Sequence, residues 1–251
     1  MENEKGPQPP NFFPNLDKQT PYQDLEAGKP SDESSQERME AVLRKGFIRK
    51  VYGILSFQLF LTTALSALFM LYQPALHWVL TNTWMYWVTL VLSFVLLFAL
   101  FCFKDKHPTN MYLLTAWTAC MSYGVGLICA AYQATGQGKI VLEAVGLTLT
   151  VFLGLTVFTM QSKWDFSFLG AGLYCCLWIL IVWGFVAAIF HVGEFMYAVF
   201  GAIIFSLYIV FDTWLITQKL GYDDYILAAV NLYLDIINLF LFILQILSKR
   251  N

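Results

Sequence analysis

Three acidic residues, Glu143, Asp212 and Asp235, lie inside long apolar stretches of the 251-residue chain. A carboxylate at the centre of a bilayer costs about 2.5–3.5 kcal/mol on insertion scales, so such residues are rare. They usually face the interior of a helix bundle and mark a path for ions or protons. The alternative for each of the three acids is a purely structural role, in which it holds helices together through hydrogen bonds.

Asp235 lies about ten residues into the last apolar stretch, which is roughly 15 Å along a helix at 1.5 Å per residue. Offsets of four, three and seven residues place Asn231, Asn238 and Gln245 on the same helical face. The last helix is therefore predicted to carry a polar stripe through the membrane, with Asn231 and Asn238 supporting Asp235.

Asp212 lies near the end of the preceding stretch, and Tyr208 lies one turn earlier, where its hydroxyl can hydrogen-bond the carboxyl group. The short connection makes the last two helices antiparallel neighbours, although untilted helices would hold Asp212 and Asp235 several ångströms apart in depth. If the carboxyl groups meet, they share a proton and titrate as a pair, because both cannot easily ionise in a low-dielectric site. Such a pair can sense pH and bind Ca²⁺ transiently through oxygen.

Two further groups of acids could serve the ends of an ion path. Glu143 lies near one end of its helix, where it is a candidate for the other mouth of a path that reaches the two aspartates. Asp223 and Asp224 lie in the turn between the last two helices, where they could gather cations at a pore mouth. A solvated turn is the alternative for these two residues.

Membrane-spanning helices must position these acids. The chain is 58% hydrophobic and 13% charged, whereas a soluble domain carries roughly 25% charged residues. A spanning helix needs about 20 mostly apolar residues, and runs that are apolar on every side exclude a transmembrane barrel. The sequence therefore predicts an all-α membrane protein, a bundle of seven transmembrane helices. The predicted spans are approximately Val51–Tyr72, Trp84–Phe103, Met111–Tyr132, Lys139–Met160, Phe168–Phe190, Phe195–Thr217 and Tyr225–Leu247.

Basic residues near the helix ends predict the orientation. Eight of them fall on one side of the bundle, which places the N-terminus in the cytosol. Residues 1–43 hold nine of the 17 acids and six of the eight prolines, so they are predicted to form a disordered cytosolic tail before a transmembrane domain at residues 44–251. Seven crossings put Lys249 and Arg250 on the opposite side, unless the last segment turns back within the membrane.

The sequence contains no motif for enzyme chemistry. It has no phosphate-binding glycine loop, paired-cysteine motif or nucleophile elbow, so we expect a protein that is not an enzyme. The five cysteines lack metal-ligand spacing, and we expect no cofactor, with calcium only as a transported ion. No basic stripe could follow a nucleic-acid backbone, so no nucleic-acid partner is expected.

Several strings of residues are similar to those of one known family. They are Tyr208-Ile-Val-Phe-Asp-Thr213, Tyr222-Asp-Asp-Tyr225, Asn231-Leu-Tyr-Leu-Asp-Ile-Ile-Asn-Leu-Phe240, Phe47-Ile-Arg-Lys-Val-Tyr52, Lys106-His-Pro108, Gly138-Lys-Ile-Val-Leu-Glu-Ala144 and Asp165-Phe-Ser-Phe-Leu-Gly170. Together they resemble the Bax inhibitor/Lifeguard family, also called the transmembrane BAX inhibitor motif proteins, and its eukaryotic Lifeguard branch. The resemblance covers about residues 44–248.

The resemblance implies a seven-helix bundle with the last helix near the centre, a pH-sensitive Ca²⁺ leak and suppression of stress-induced cell death. It also implies that Asp212 and Asp235 form a proton-sharing latch, since they match the family's two aspartates. Bacterial relatives pair this latch with an arginine in the second helix, but Trp84–Phe103 contains no Arg or Lys. The implied location is the endoplasmic reticulum or Golgi, with the vacuole as an alternative.

Three functions are compatible with these residues. The first is a passive cation path for Ca²⁺ in an internal membrane, with Asp212 and Asp235 as latch and ion site. The second is a non-conducting regulator that binds cell-death regulatory membrane proteins, in which the acids are structural. The third is a proton-coupled exchanger, which would show saturable counter-transport.

Overall fold

The computed structural model describes residues 32–190 and 192–250 of the chain. These residues form eight α-helices and no strand. The helices are α1 (Asp32–Leu71), α2 (Gln73–Thr81), α3 (Trp84–Phe103), α4 (Thr109–Ala134), α5 (Gly138–Gln161), α6 (Leu169–Phe190), α7 (Glu194–Gln218) and α8 (Tyr225–Arg250).

Seven of these helices are long and apolar enough to cross a membrane, and the exception is the nine-residue α2. The predicted fold class, an all-α bundle of seven spans, is therefore confirmed. Each predicted span coincides with one helix, and most ends agree to within a few residues. The chain is a multi-pass membrane protein.

The last helix is the most enclosed part of the bundle. In its most apolar window 67% of α8 is buried, whereas the corresponding windows of α3 and α6 are only 11% and 17% buried. Small side chains at Ala228 and Ala229, both buried, allow neighbouring backbones to approach α8 closely. The expectation that the last helix lies near the centre is therefore confirmed, and α3 and α6 present their apolar side chains outward.

Two stretches are more helical than the sequence predicted. Helix α1 begins at Asp32, so residues 32–43 of the predicted tail are helical, while residues 1–31 lie outside the described residues. Leu43 and Arg44, between which we predicted the domain boundary, both lie within this helix. The predicted spans left residues 73–83 unassigned, and α2 forms there, with Pro74 in its first turn, where a missing N–H costs nothing.

Helices α7 and α8 are in close contact at Gly201. A Cβ atom at this position would lie 2.5 Å from the ring of Phe242, so only glycine fits opposite that ring. The Phe242 ring also stacks on Phe205 of α7, with centroids 5.8 Å apart. This contact lies toward the end of the pair opposite the connecting turn, and together with the turn it constrains how the two helices cross.

A buried hydrogen-bond network ties α8 to α1 and α4. The Thr62 hydroxyl lies 2.8 Å from both the Ser122 and the Tyr233 hydroxyls, and the Gln58 amide donates to the Thr118 hydroxyl at 3.0 Å. All five side chains are buried. Hydrogen bonds of this kind between membrane helices average about 0.6 kcal/mol and reach about 1.7 kcal/mol. The network therefore fixes the rotation of the central helix.

An ion pair joins the two helices at the end of the chain. The Lys249 ammonium lies 2.5 Å from a Glu194 carboxylate oxygen, so α8 ends beside the first turn of α7. Helix α8 is continuous for 26 residues, and the alternative in which the last segment turns back within the membrane is therefore wrong. Pairing with Glu194 also reduces the net positive charge at an end where the orientation rule expects few bases.

Candidate ion site

Asp212 of α7 and Asp235 of α8 meet inside the bundle. Their side chains are 8% and 5% exposed, and the two carboxyl groups lie within hydrogen-bonding reach of each other. Asp212 lies six residues before the end of α7 at Gln218, and Asp235 lies ten residues after the start of α8 at Tyr225. In untilted helices this difference of four residues would place the two side chains about 6 Å apart in depth. The folded bundle removes this difference, so the contact that spacing alone left open is present.

The pair has the chemistry of a shared proton. Two carboxylates cannot hydrogen-bond each other unless one of them carries a proton, since an ionised carboxylate is only an acceptor. The second oxygen of Asp235, Oδ2, is buried and makes no hydrogen bond within the described residues. Loss of the shared proton would leave two like charges in a low-dielectric interior, which is costly without a cation between them.

Tyr208 of α7 is a polar neighbour of both aspartates. Tyr208 is half-buried one turn before Asp212, and its hydroxyl lies close enough to interact electrostatically with both aspartates. Within the described residues no Lys or Arg forms an ion pair with either aspartate. This agrees with the absence of basic residues from α3 and leaves the shared proton as the balancing charge.

The predicted polar stripe on α8 is only partly correct. Asn231 is exposed, and Asn238 is half-buried with its amide donating to the Leu234 carbonyl of its own helix at 2.8 Å. By their spacing, Asn231 and Asn238 lie on the same helical face as Asp235. That face lies at the edge of the buried surface of α8 and not at its middle. Asn238 lines a cavity of about 120 Å³ between α3, α4 and α8, together with Thr89 and Ser93.

Glu143 does not face the bundle interior, and that expectation is wrong. Its side chain is exposed on α5, and the buried face of this helix carries Ala144 and Thr148 instead. Consecutive helical residues point about 100° apart. A one-residue offset from the buried stripe therefore turns Glu143 outward and separates it from the aspartate pair.

The two acids of the α7–α8 turn differ from each other. Asp224 forms an ion pair with Lys104 at 3.0 Å, while Asp223 is exposed. The hydrogen bond and charge of Asp224 raise the pKa of Lys104 above its ordinary value, so Lys104 stays charged throughout the physiological range. Asp224 therefore holds the turn through this ion pair, and of the two acids in the turn only Asp223 is exposed.

Sequence reasoning missed an arginine that caps the aspartate-bearing helix. The Arg44 guanidinium donates to the carbonyl of Leu220 at 2.7 Å and to that of Ile216 at 3.4 Å, and it lies 4.8 Å from the Tyr222 ring centroid. A cation at a helix C-terminus is favoured because the last carbonyls are unpaired and the helix dipole is negative there. Arg44 is more than 170 residues from these carbonyls, so no local pattern could have revealed the contact.

Comparison with known proteins identifies the family. Residues 44–251 match the family described as Inhibitor of apoptosis-promoting Bax1. The chain belongs to this family. The matched region begins at Arg44, so it includes the cap on α7 as well as both aspartates, and the predicted resemblance to the Bax inhibitor/Lifeguard proteins is confirmed.

Named relatives extend the match over most of the chain. It is 41% identical over 212 residues to the Golgi anti-apoptotic protein of vaccinia virus strain Lister, covering 83% of this chain and 87% of the viral protein. It is 41% identical over 211 residues to mouse Protein lifeguard 4, with the same shares covered. It is 38% identical over 236 residues to Arabidopsis thaliana Protein LIFEGUARD 1, covering 90% of this chain and 98% of the plant protein.

The acid pair of this Bax inhibitor family member is not a complete resident metal site. In the part of the chain that the structure describes, no group of three or more His, Cys, Asp or Glu side chains is placed to hold a metal ion. Two carboxylates supply at most four oxygens, whereas Ca²⁺ takes six to eight ligands. An ion at Asp212 and Asp235 would keep part of its water shell and exchange readily.

Proposed function

We propose that this protein is a passive, pH-sensitive Ca²⁺ leak of an internal membrane. The observation that carries the proposal is the contact between two buried carboxyl groups, Asp212 and Asp235, inside a seven-span bundle. Buried acids in membrane helices generally mark ion or proton paths. No covalent chemistry is required of the protein, which would not be an enzyme.

The shared proton would act as the latch. With one carboxyl protonated, a hydrogen bond between Asp212 and Asp235 holds α7 against α8 and closes the path. When the proton leaves, repulsion between the two carboxylates pushes the helices apart and presents oxygen ligands to a hard cation. Flux should therefore rise as pH increases through the range in which the pair loses its proton.

Polar surfaces on either side of the pair support a route. On one side lies the cavity of about 120 Å³ at Asn238, which has room for a few water molecules and offers hydroxyls from Thr89 and Ser93. On the other side, Asp223 faces solvent in the turn that follows α7. Glu143 is left out of the route because its side chain points away from the bundle interior.

The cellular role that we propose is suppression of stress-induced cell death by lowering stored calcium. The name of the vaccinia relative, Golgi anti-apoptotic protein, supports both this role and a Golgi location. The endoplasmic reticulum suits the same role, and the vacuole is a further candidate. The excess of Lys and Arg at one set of helix ends supports a cytosolic N-terminus.

The proposal is tested by Ca²⁺ flux into proteoliposomes of the purified full chain, scanned from about pH 6 to pH 8. Asp212→Asn and Asp235→Asn should each abolish the pH dependence, since an amide cannot gain or lose the shared proton. Asp105→Asn is the matched control, because it removes an exposed acid outside both the pair and the proposed route, and it should keep the pH dependence.

Three results would lead to other conclusions. Unchanged flux and pH dependence in Asp235→Asn would exclude the pair as the sensor. A folded protein that carries no Ca²⁺ at any pH, yet protects cells, would favour the non-conducting regulator that binds cell-death proteins. Saturable counter-transport of protons would favour an exchanger.

A further inference from the structure

A groove of about 480 Å³ lies between α1 and α4 and is separate from the acid pair. Its walls are mainly apolar, from side chains such as Ile54, Phe57 and Leu114, and Gly53 also lines it. Phe57 is 52% exposed, so the groove opens outward from the bundle. In a membrane-spanning helix pair, an outward opening at this level meets lipid rather than water.

Two cationic side chains border one end of the groove. Arg49 and Lys50 line it beside Gly53, at the point where α1 enters the apolar span. Within the described residues neither one forms an ion pair, although the Lys50 ammonium lies 3.2 Å from the centroid of the Tyr225 ring. The Arg49 guanidinium is therefore free to bind an anion at the membrane surface.

We propose that this groove binds one anionic phospholipid, with its phosphate at Arg49 and Lys50 and an acyl chain lying over Gly53. Basic pockets between helices at a membrane surface recognise anionic lipid headgroups, and the apolar walls match a hydrocarbon chain. A soluble phosphate would bind the two cations but would leave the apolar walls of the groove without a ligand. A peptide would need several backbone hydrogen-bond partners, but the polar lining side chains are already engaged: Gln58 bonds Thr118, and Thr115 bonds a carbonyl of its own helix. This inference does not depend on the proposed calcium leak.

The lipid site has a consequence for the central helix. Lys50 contacts Tyr225, and Tyr225 is the first residue of α8 and receives a hydrogen bond from the Asn110 amide at 3.2 Å. A headgroup that draws Lys50 toward its phosphate would compete with the Tyr225 ring for the ammonium. The charge of the bound lipid would thereby act on the start of the helix that carries Asp235.

The headgroup half of the site is tested by native mass spectrometry of the full chain in detergent, titrated with phosphatidylserine or phosphatidylcholine. The unaltered protein should retain one phosphatidylserine in clear preference to phosphatidylcholine. Arg49→Gln should weaken this binding about fivefold, and the double change with Lys50→Gln by roughly 25-fold. Lys45→Gln is the matched control, because Lys45 is an exposed base on the same helix that does not line the groove.

The acyl-chain half of the site is tested by filling the groove. A Cβ atom added at Gly53 meets no atom within 4 Å, and Gly53 lines the groove, so the side chain of Gly53→Leu is expected to enter the groove and abolish retention of the phosphatidylserine. A Cβ atom at Gly46, on the same helix, also meets no atom within 4 Å, and Gly46 does not line the groove, so Gly46→Leu should bind like the unaltered protein. Thermal unfolding of each variant in detergent establishes that it is folded.

Two outcomes would overturn the inference. Equal weakening by Arg49→Gln and Lys45→Gln would reveal general surface electrostatics instead of a site. Full retention of the lipid by Gly53→Leu would show that no acyl chain lies in the groove. Because the two halves use independent variants, failure of one variant to fold leaves the other as a decisive test.

Discussion

At the residue scale, one acidic and one basic side chain determine how α7 is held in the bundle. Asp212 brings a carboxyl group into the bundle near the end of α7, and its cost is offset by contact with Asp235. The Arg44 guanidinium donates to the Ile216 carbonyl, one turn after Asp212, and to the Leu220 carbonyl, one turn further along. The cap holds the end of α7 in place, and this in turn fixes where Asp212 stands relative to Asp235.

Arg44→Gln is expected to destabilise the protein by about 1–3 kcal/mol, because it removes charged hydrogen bonds to two helix-terminal carbonyls. Thermal unfolding in detergent should report this as a lower midpoint. Lys45→Gln, at an exposed neighbouring position, should change stability by no more than about 0.5 kcal/mol. Equal effects of the two changes would mean that Arg44 contributes only general positive charge.

At the element scale, two different kinds of contact hold α8 at the centre. Against α7 the contact is steric, since Gly201 lets the Phe242 ring approach the helix backbone. Against α1 and α4 it is polar, through the hydroxyls of Thr62, Ser122 and Tyr233. Lipid chains are as apolar as leucine, so close packing and hydrogen bonds, rather than hydrophobic burial, must supply the preference for one arrangement.

The steric contact predicts that Gly201→Ala costs about 1–3 kcal/mol of stability, because the new methyl group overlaps the Phe242 ring and forces α7 and α8 apart. The control is Gly154→Ala, where a Cβ meets no atom within 4 Å and the substitution should be neutral or slightly stabilising. Thermal unfolding in detergent measures both. Combining Gly201→Ala with Phe242→Leu should recover part of the loss, and no recovery would argue against the overlap.

The polar contact predicts that Thr62→Val destabilises the bundle by roughly 1–2 kcal/mol, since the Ser122 and Tyr233 hydroxyls each lose a partner. Thr150→Val is a matched control, because the exposed Thr150 hydroxyl bonds the Gly146 carbonyl of its own helix and, among the described residues, no other group. Chemical denaturation in mixed micelles would compare the two. A similar small effect for both would mean that the network adds little beyond local bonds.

At the scale of the whole molecule, seven continuous spans require the two ends of the chain to lie on opposite sides of the membrane. Helix α8 runs unbroken to Arg250, where the Lys249–Glu194 ion pair secures its end. The basic residues at the other set of helix ends favour a cytosolic N-terminus. In the internal membrane that we propose, the C-terminus should then face the lumen.

Epitope tags at the two ends provide the test of this topology. After selective permeabilisation of the plasma membrane, an antibody should reach a tag before Met1 but not a tag after Asn251. Permeabilising the internal membranes as well should expose both tags. Simultaneous labelling in the first condition would contradict seven full crossings.

The sequence alone determined the elements and the unusual residues. The number of spans follows from the length of each apolar stretch, because only helices of about 20 residues satisfy the backbone within a bilayer. Asp212 and Asp235 stood out for a similar reason, since a carboxylate within such a stretch is costly. Family resemblance supplied the pairing of the two acids and the central place of the last helix, which the residue spacing left open.

Only the tertiary structure decided which way each helix faces. A span that is apolar on every side fits lipid and protein equally well, so periodicity groups residues on a face without saying where that face points. This is why Glu143 and Asn231 were expected inside and are exposed, although Asp235 is buried as expected. Arg44 could not be found at all, because its carbonyl partners are distant in the chain and become its neighbours only when the helices assemble.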